Sequence, residues 1–276
     1  MRISRLIAVS IAVPFLALSC TKPTETDAQL VTRAGAPLFS GMSAYHRVID
    51  TRDPGAQRYF DQGMMLAFGF NHAEAIRSFR AAQKLDRNCA MCFWGEALAT
   101  GPNINVTAKG KAIMSPADQE AAYAALEKAK AVSANKPQVE QDLINALATR
   151  YSPQPVDDRT ALDNAYATAL GELSKKYPAD DDIPSMYSEA WMNTMPWNYW
   201  SDSTTPRPEI VPVIAALETT IARNPTHPLA LHLYIHAMEA SAAPEKAEKA
   251  SDTLLTLAPG SGHLVHMPAH IYLRLG

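Results

Sequence analysis

The sequence predicts an all-α fold, a helical-hairpin repeat array behind an N-terminal signal segment. Three observations predict it. Helix formers dominate long stretches such as "EAAYAALEKAKAV", "EQDLINALATRY" and "APEKAEKASDTLLTLAP". Sustained Val/Ile/Thr alternation is missing, so almost no sheet is expected. And helical stretches end repeatedly on a polar or proline turn, at "ALEKAKAVSANKP", "LSKKYPADDD", "TTIARNPTHP" and "LLTLAPGSGH".

The elements follow in chain order. "MRISR" is a short basic start, and the apolar run "LIAVSIAVPFLALS" after it is too short to span a membrane as a mature helix. The run stops at Cys20, preceded by small Ser19 and by Ala17. "LALSC" resembles a bacterial lipobox, which implies a lipoprotein signal peptide over 1–19 and a lipid on Cys20. An ordinary secretory signal with a coincidental cysteine is the alternative. Thr21 is not aspartate, which by the same resemblance implies an exported outer-membrane lipoprotein facing the periplasm. Residues 20–42 are polar with scattered Pro and Gly and read as a flexible tether.

Residues 43–276 form the repeat domain. In "AQRYFDQGMMLAFGFNHAEAIRSFRAAQKLDRNCAMCFWGEAL", Gly63 lies on a first helix where two helices pack too closely for a larger side chain. Asn71 and His72 fall in the turn, and Ala75, Phe79 and Ala82 share one face of a second helix. This pattern resembles the tetratricopeptide repeat, with Arg87 where that family has proline and Leu66 where it often has tyrosine. The resemblance implies a right-handed α-solenoid. Turn signals recur at about 40–45 residues, longer than the usual ~34, and the loops "TGPNINVTAKGKAIMSP" and "PWNYWSDSTTPRP" account for the excess. The terminal "HIYLRLG" reads as the first half of a further repeat, so the array is expected to be truncated at Gly276. "GFNHAEAIRSF", "GPNIN", "MPWNYW", "YIHAMEAS" and "GHLVHMPAHIYLRLG" also make the chain similar to uncharacterised secreted bacterial repeat proteins, a resemblance that implies no reaction.

Cys89 and Cys92, as "CAMC" at the turn into a helix, suit a disulfide in an exported protein. A reduced buried pair, a redox pair and a metal pair are the other readings; Phe93 stands where a c-type haem site would have histidine.

Six of the eight histidines fall between residues 227 and 270. His232, His236 and Glu239, spaced four and three, lie within about 60° of one another on a helix and can offer two imidazoles and a carboxylate to one cation. His263, His266 and His270 are a second set, although Pro268 places the first two in the turn before a helix. The two sets sit on consecutive first helices and can converge on zinc, copper or nickel, with Glu239 as general base if the site is catalytic. The competing reading has these imidazoles bonded within the scaffold. "THP" makes His227 turn chemistry, and His72 is expected to satisfy a helix end.

The stretch "SMYSEAWMNTMPWNYW" holds three of the four tryptophans. Trp191 is on a helix that ends near Thr194, because Pro196 disfavours helix at Met195. Trp197, Tyr199 and Trp200 fall on a loop, as ligand anchors or as plugs between repeats. "PADDD" reads as a solvated connection, with calcium binding as a remote alternative. A net charge of −3 gives no basic footprint for nucleic acid. No phosphate loop or nucleophile elbow is present. The expected work is therefore binding an envelope protein, peptide or small ligand on a concave helical face rather than turnover. The alternative is a histidine-rich metal-binding envelope protein or, further off, a metal-dependent hydrolase.

Overall fold

The computed structural model describes residues 25–42 and 44–276; the leader and Cys20 lie outside the described residues. The described residues are mostly helical. In order the helices are α1 (Asp27–Ala34), α2 (Pro54–Phe68), α3 (His72–Leu85), α4 (Ala90–Ala99), α5 (Pro116–Ala131), α6 (Gln138–Ala148), α7 (Thr160–Lys176), α8 (Asp182–Thr194), α9 (Val211–Arg223), α10 (Pro228–Met238), α11 (Glu248–Leu257), α12 (Gly262–His266) and α13 (Pro268–Leu275). Two short antiparallel hairpins decorate the two long loops: β1 (Thr107–Ala108) with β2 (Lys111–Ala112), and β3 (Trp200–Asp202) with β4 (Thr205–Pro206). None of the described helices is long and apolar enough to cross a membrane.

Local chemistry sets the helix starts. Asp53 caps α2 by accepting from the Gly55 and Ala56 amides, with Pro54 in the first turn where its missing N–H costs nothing. Ser115 caps α5 in the same way. Cys89 caps α4 by accepting from the Cys92 amide, and the two cysteines are bonded, with Cα atoms 5.3 Å apart. Both are fully buried, so the bridge pins a helix start inside the core.

Adjacent helices pack in pairs, α2 on α3, α4 on α5, α7 on α8 and α10 on α11. The first hairpin shows why glycine is needed. A Cβ on Gly63 would stand 2.7 Å from the Phe79 ring, as its place in the pattern suggested. A Cβ on Gly95 of α4 would stand 2.3 Å from the same ring. Phe79 is thus clamped between α2 and α4 with no room on either flank, and its ring is fully buried. Gly95→Ala is expected to lower stability by about 2–3 kcal/mol through overpacking, read as an earlier midpoint in thermal or urea unfolding; an unchanged midpoint would contradict the clamp.

Two features depart from the sequence expectation. Residues 25–42 are not simply a tether. Thr26 and Gln29 form a reciprocal capping box at the start of α1. Leu30 and Ala34 are buried as α1 packs on α3, and a Cβ on Gly55 would meet Leu30 at 2.5 Å. A few apolar residues at helical spacing were enough to dock a segment whose composition is polar. Second, α10 packs against α2 across the intervening hairpins. In an open stack each hairpin touches only its neighbours; here two helices far apart in the chain are in contact. Residues 35–42 and 44–52 tie to later elements: the Gly260 amide donates to the Gly41 carbonyl at 2.8 Å, and Arg47 reaches Asp180 and Asp182 at 2.9 and 2.7 Å. Asp181 is held by Arg223 and Asn224. The acidic run therefore forms ion pairs and caps, which leaves the calcium reading without free carboxylates.

Candidate metal centre

α10 is buried on every side. A polar group on such a helix needs a partner, because an unpaired one costs several kcal/mol on the order of a lost hydrogen bond and its desolvation. Following the partners of its histidines leads to the site.

His227 stands before α10 and caps it: its Nδ1 accepts from the Ala230 amide, and its Nε2–H donates to Asp182 at 2.9 Å. Ser185 lies 3.5 Å from that Nδ1, completing a Ser–His–Asp set on paper, but its hydroxyl donates to the Asp181 carbonyl and it is fully buried. This set is a cap, in line with the turn role expected for His227.

His232 sits one turn into the helix, fully buried, and donates from Nδ1 to the Phe68 carbonyl at the end of α2, 2.7 Å away. That carbonyl is one of the four a helix C-terminus leaves without an internal partner. His236, one turn on and 2 % exposed, donates from Nδ1 to Glu239 at 3.0 Å. His270 on α13 donates from Nδ1 to the other Glu239 oxygen at 2.6 Å. Since carbonyl and carboxylate oxygens only accept, these three imidazoles carry a proton on Nδ1, which in a neutral ring leaves the lone pair on Nε2.

The Nε2 atoms converge. His263 Nε2 is 3.0 Å from His232 Nε2, and His266 Nε2 is 3.1 Å from His270 Nε2. His236 Nε2 is buried with no hydrogen-bond partner. Ligand atoms of His232, His236 and His263 all lie within 4.8 Å of one another, as do those of His236, Glu239 and His270. The rings interlock, His232 standing 4.9 Å from both His236 and His263, and His236 standing 5.4 Å from His270. All six residues of the two sequence sets are thus brought together. His263 and His266 lie on the one-turn helix α12, which breaks at Met267 before Pro268.

Burial keeps the inner imidazoles neutral. It holds His232 well below the ordinary histidine value, with the neighbouring imidazoles adding to the effect. It lowers His236 as well, against the pull of Glu239. His263 is pushed down to about 4 by burial and by the facing histidines. Burial raises the Glu239 carboxyl, but its hydrogen bonds from His236 and His270 outweigh that and it stays below its ordinary value. Neutral imidazole is the form that binds a metal.

Glu239, one of the grouped ligand residues, also has a role that spacing alone does not show. Both its oxygens accept from imidazole N–H groups, which makes it the residue that fixes ring orientation and tautomer, as carboxylates behind metal-bound histidines do. A carboxylate so engaged is poorly placed as the general base considered from sequence.

Phe70 and His72 were not read as part of the site. Phe70 takes a left-handed backbone, φ 53°, just past α2. Such a conformation is uncommon for a bulky residue and costs on the order of 1 kcal/mol. It turns the ring into the cluster, 4.5 Å from His232 and 5.2 Å from His263. His72 stacks on Phe70 and bonds from Nδ1 to the Ala99 carbonyl at 2.9 Å, so it satisfies a helix end, that of α4. Its Nε2 is buried without a partner.

The four aromatic residues divide. Trp197, with φ 65° and 46 % exposed, packs edge-on against His236 at 5.0 Å and donates from its indole to the Ile104 carbonyl. Tyr199 is buried beside it. Both line an open cleft of about 450 Å³ with His236, Glu239, His270 and Arg274. Trp200 donates to the Ala237 carbonyl and, like Trp191, packs on the core; neither lines this cleft.

No family model matches the chain, and no curated protein or solved structure is detectably similar to it.

Proposed function

We propose that this chain is a transition-metal-binding protein whose inner ligands are Nε2 of His232, His236 and His263. The helical hairpins, read as tetratricopeptide-like units of a right-handed α-solenoid, are the frame that carries them. One observation carries the reading: three imidazoles kept neutral, two of them buried and His263 half-buried, bring ligand atoms within 4.8 Å of one another, while oxygen acceptors hold the Nδ1 of His232 and His236. Tetrahedral nitrogen ligands at ~2.05 Å from zinc stand about 3.3 Å apart. The His232–His263 separation of 3.0 Å needs only a few tenths of an ångström of relaxation to match. An all-imidazole set suits zinc, copper or nickel, and of its three members His236 also lines the cleft beside Trp197. A scaffold role is the second reading, favoured by exposed Trp197 on that cleft as an anchor for a peptide or small ligand. With the export signal read from the leader, either activity belongs to the cell envelope, anchored through Cys20.

The test is metal content. The untagged chain from residue 21, supplemented with Zn²⁺ and desalted, is expected to retain at least one equivalent by inductively coupled plasma mass spectrometry. His232→Asn with His236→Asn is expected to abolish tight retention while circular dichroism still reports a helical fold. A folded wild type that retains no metal would overturn the reading.

A further inference from the structure

The five imidazoles of the cluster are not one equivalent set. Three observations separate them into an inner and an outer site. The first is contact: there are two distinct Nε2–Nε2 approaches, His232 with His263 at 3.0 Å and His266 with His270 at 3.1 Å. The second is grouping: the compact triad of ligand atoms takes in His232, His236 and His263 but not His266 or His270. The third is exposure: the His232 and His236 side chains are buried, His270 is 26 % exposed at its side chain and His266 faces solvent.

We infer that His266 and His270 form a second, rim metal site, which captures a divalent transition metal from solution and passes it to the buried triad. This rests on the metal-binding reading above. Each half of the rim pair has a reason to present Nε2. His270 is fixed by Nδ1–H donation to Glu239, so its Nε2 keeps the lone pair. His266 faces that lone pair from one turn earlier across the break at Met267, and in the absence of an ion it supplies the shared proton. An arriving cation takes both nitrogens once His266 has shifted that proton from Nε2 to Nδ1 by exchange with solvent, and water completes its shell. Two protein ligands on an exposed rim bind more weakly and exchange faster than three in a buried pocket, the ranking a relay requires.

The route inward is continuous. His270 and His236 stand with rings 5.4 Å apart, and Glu239 bonds both, one oxygen to each. His236 belongs to the inner triad, and its Nε2 is the one without a partner. One carboxylate therefore orients a ligand of the outer site and a ligand of the inner site. An ion moving inward exchanges a His270 nitrogen for a His236 nitrogen without either ring having to leave Glu239.

His266→Ala is the discriminating variant, because this side chain is exposed and its loss leaves the His270–Glu239 and His236–Glu239 bonds in place. Titration with Zn²⁺ under equilibrium dialysis is expected to give two equivalents in the wild type, one tight and one weaker. His266→Ala is expected to lose only the weaker one, and His232→Asn the tight one. Uptake of Co²⁺ at sub-stoichiometric concentration, followed by its visible absorption, is expected to slow by about tenfold in His266→Ala, as loss of an encounter site does. One equivalent in both wild type and His266→Ala would overturn the rim site and leave the inner site standing. Two equivalents with unchanged uptake would overturn the relay. No metal in the wild type would overturn the parent reading, and the inference with it.

Discussion

Arg47→Met is expected to destabilise the protein by about 3–5 kcal/mol, the cost of removing one partner from a buried ion network. Arg47 is only 13 % exposed at its side chain and bonds Asp180 and Asp182 together. Asp182 is buried and also accepts from His227 and from the Tyr45 hydroxyl. Without the guanidinium, the Asp180 and Asp182 carboxylates face each other with no cationic side chain between them, and residues 44–52 lose their tie to α8. The pH dependence has a definite sign. Burial pushes Asp182 up, but His227 and Arg47 more than offset it, and its folded value lies below the unfolded one. A carboxyl depressed in this way stabilises the fold at pH above its unfolded value, and that contribution is lost as pH falls through the folded value. The gap in unfolding midpoint between wild type and variant should therefore be widest near neutrality and narrow in acid. Urea unfolding at several pH values measures it, and a gap that widens in acid would contradict the network.

Glu239→Gln should weaken zinc binding by about 10–100-fold, the usual cost of losing the carboxylate behind a metal-bound histidine. The reason lies in donors and acceptors. Glutamate accepts from both His236 and His270. Glutamine has one accepting oxygen and one donating amide, so one imidazole must turn or move its proton to Nε2 and surrender the lone pair aimed at the ion. The substitution is isosteric, so the helices should remain folded, which separates this loss from unfolding. Competition against a chelator of known affinity gives the ratio. Equal affinity in the two proteins would remove Glu239 from the site.

Much of this was legible in the residues. Helical composition and turn signals indicated the helices, and Gly63 with Phe79 indicated the first hairpin. Gly95 was passed over because "WGEAL" looks like any helix, and only the other side of the Phe79 ring makes that glycine necessary. α1 was missed although its capping residues Thr26 and Gln29 are visible, because overall polarity outweighed two buried apolar side chains. The histidines stood out by number and spacing, and the spacing of His232, His236 and Glu239 does place them together. Spacing cannot distinguish a ligand from the carboxylate that orients it, since both lie on the same helical face. Nor can it supply the Phe68 carbonyl, which comes from 164 residues away. Phe70 and His72 enter the centre by the same non-local route.

The contact between Phe68 and His232 also constrains the stretch of chain between α2 and α10. Open helical arrays lengthen or shorten by duplicating or deleting a hairpin, since each unit needs only its neighbours. A stretch whose two ends are bonded to each other, as α2 and α10 are here, has no such freedom. A hairpin added between α3 and α9 would carry the end of α2 away from α10, and a hairpin removed would drive the two together. In either case His232 would lose the acceptor that sets its tautomer. Lineages of this fold that keep the imidazole cluster should therefore hold a constant number of helices between those two points, and absorb their length variation in the two loops that carry the β-hairpins.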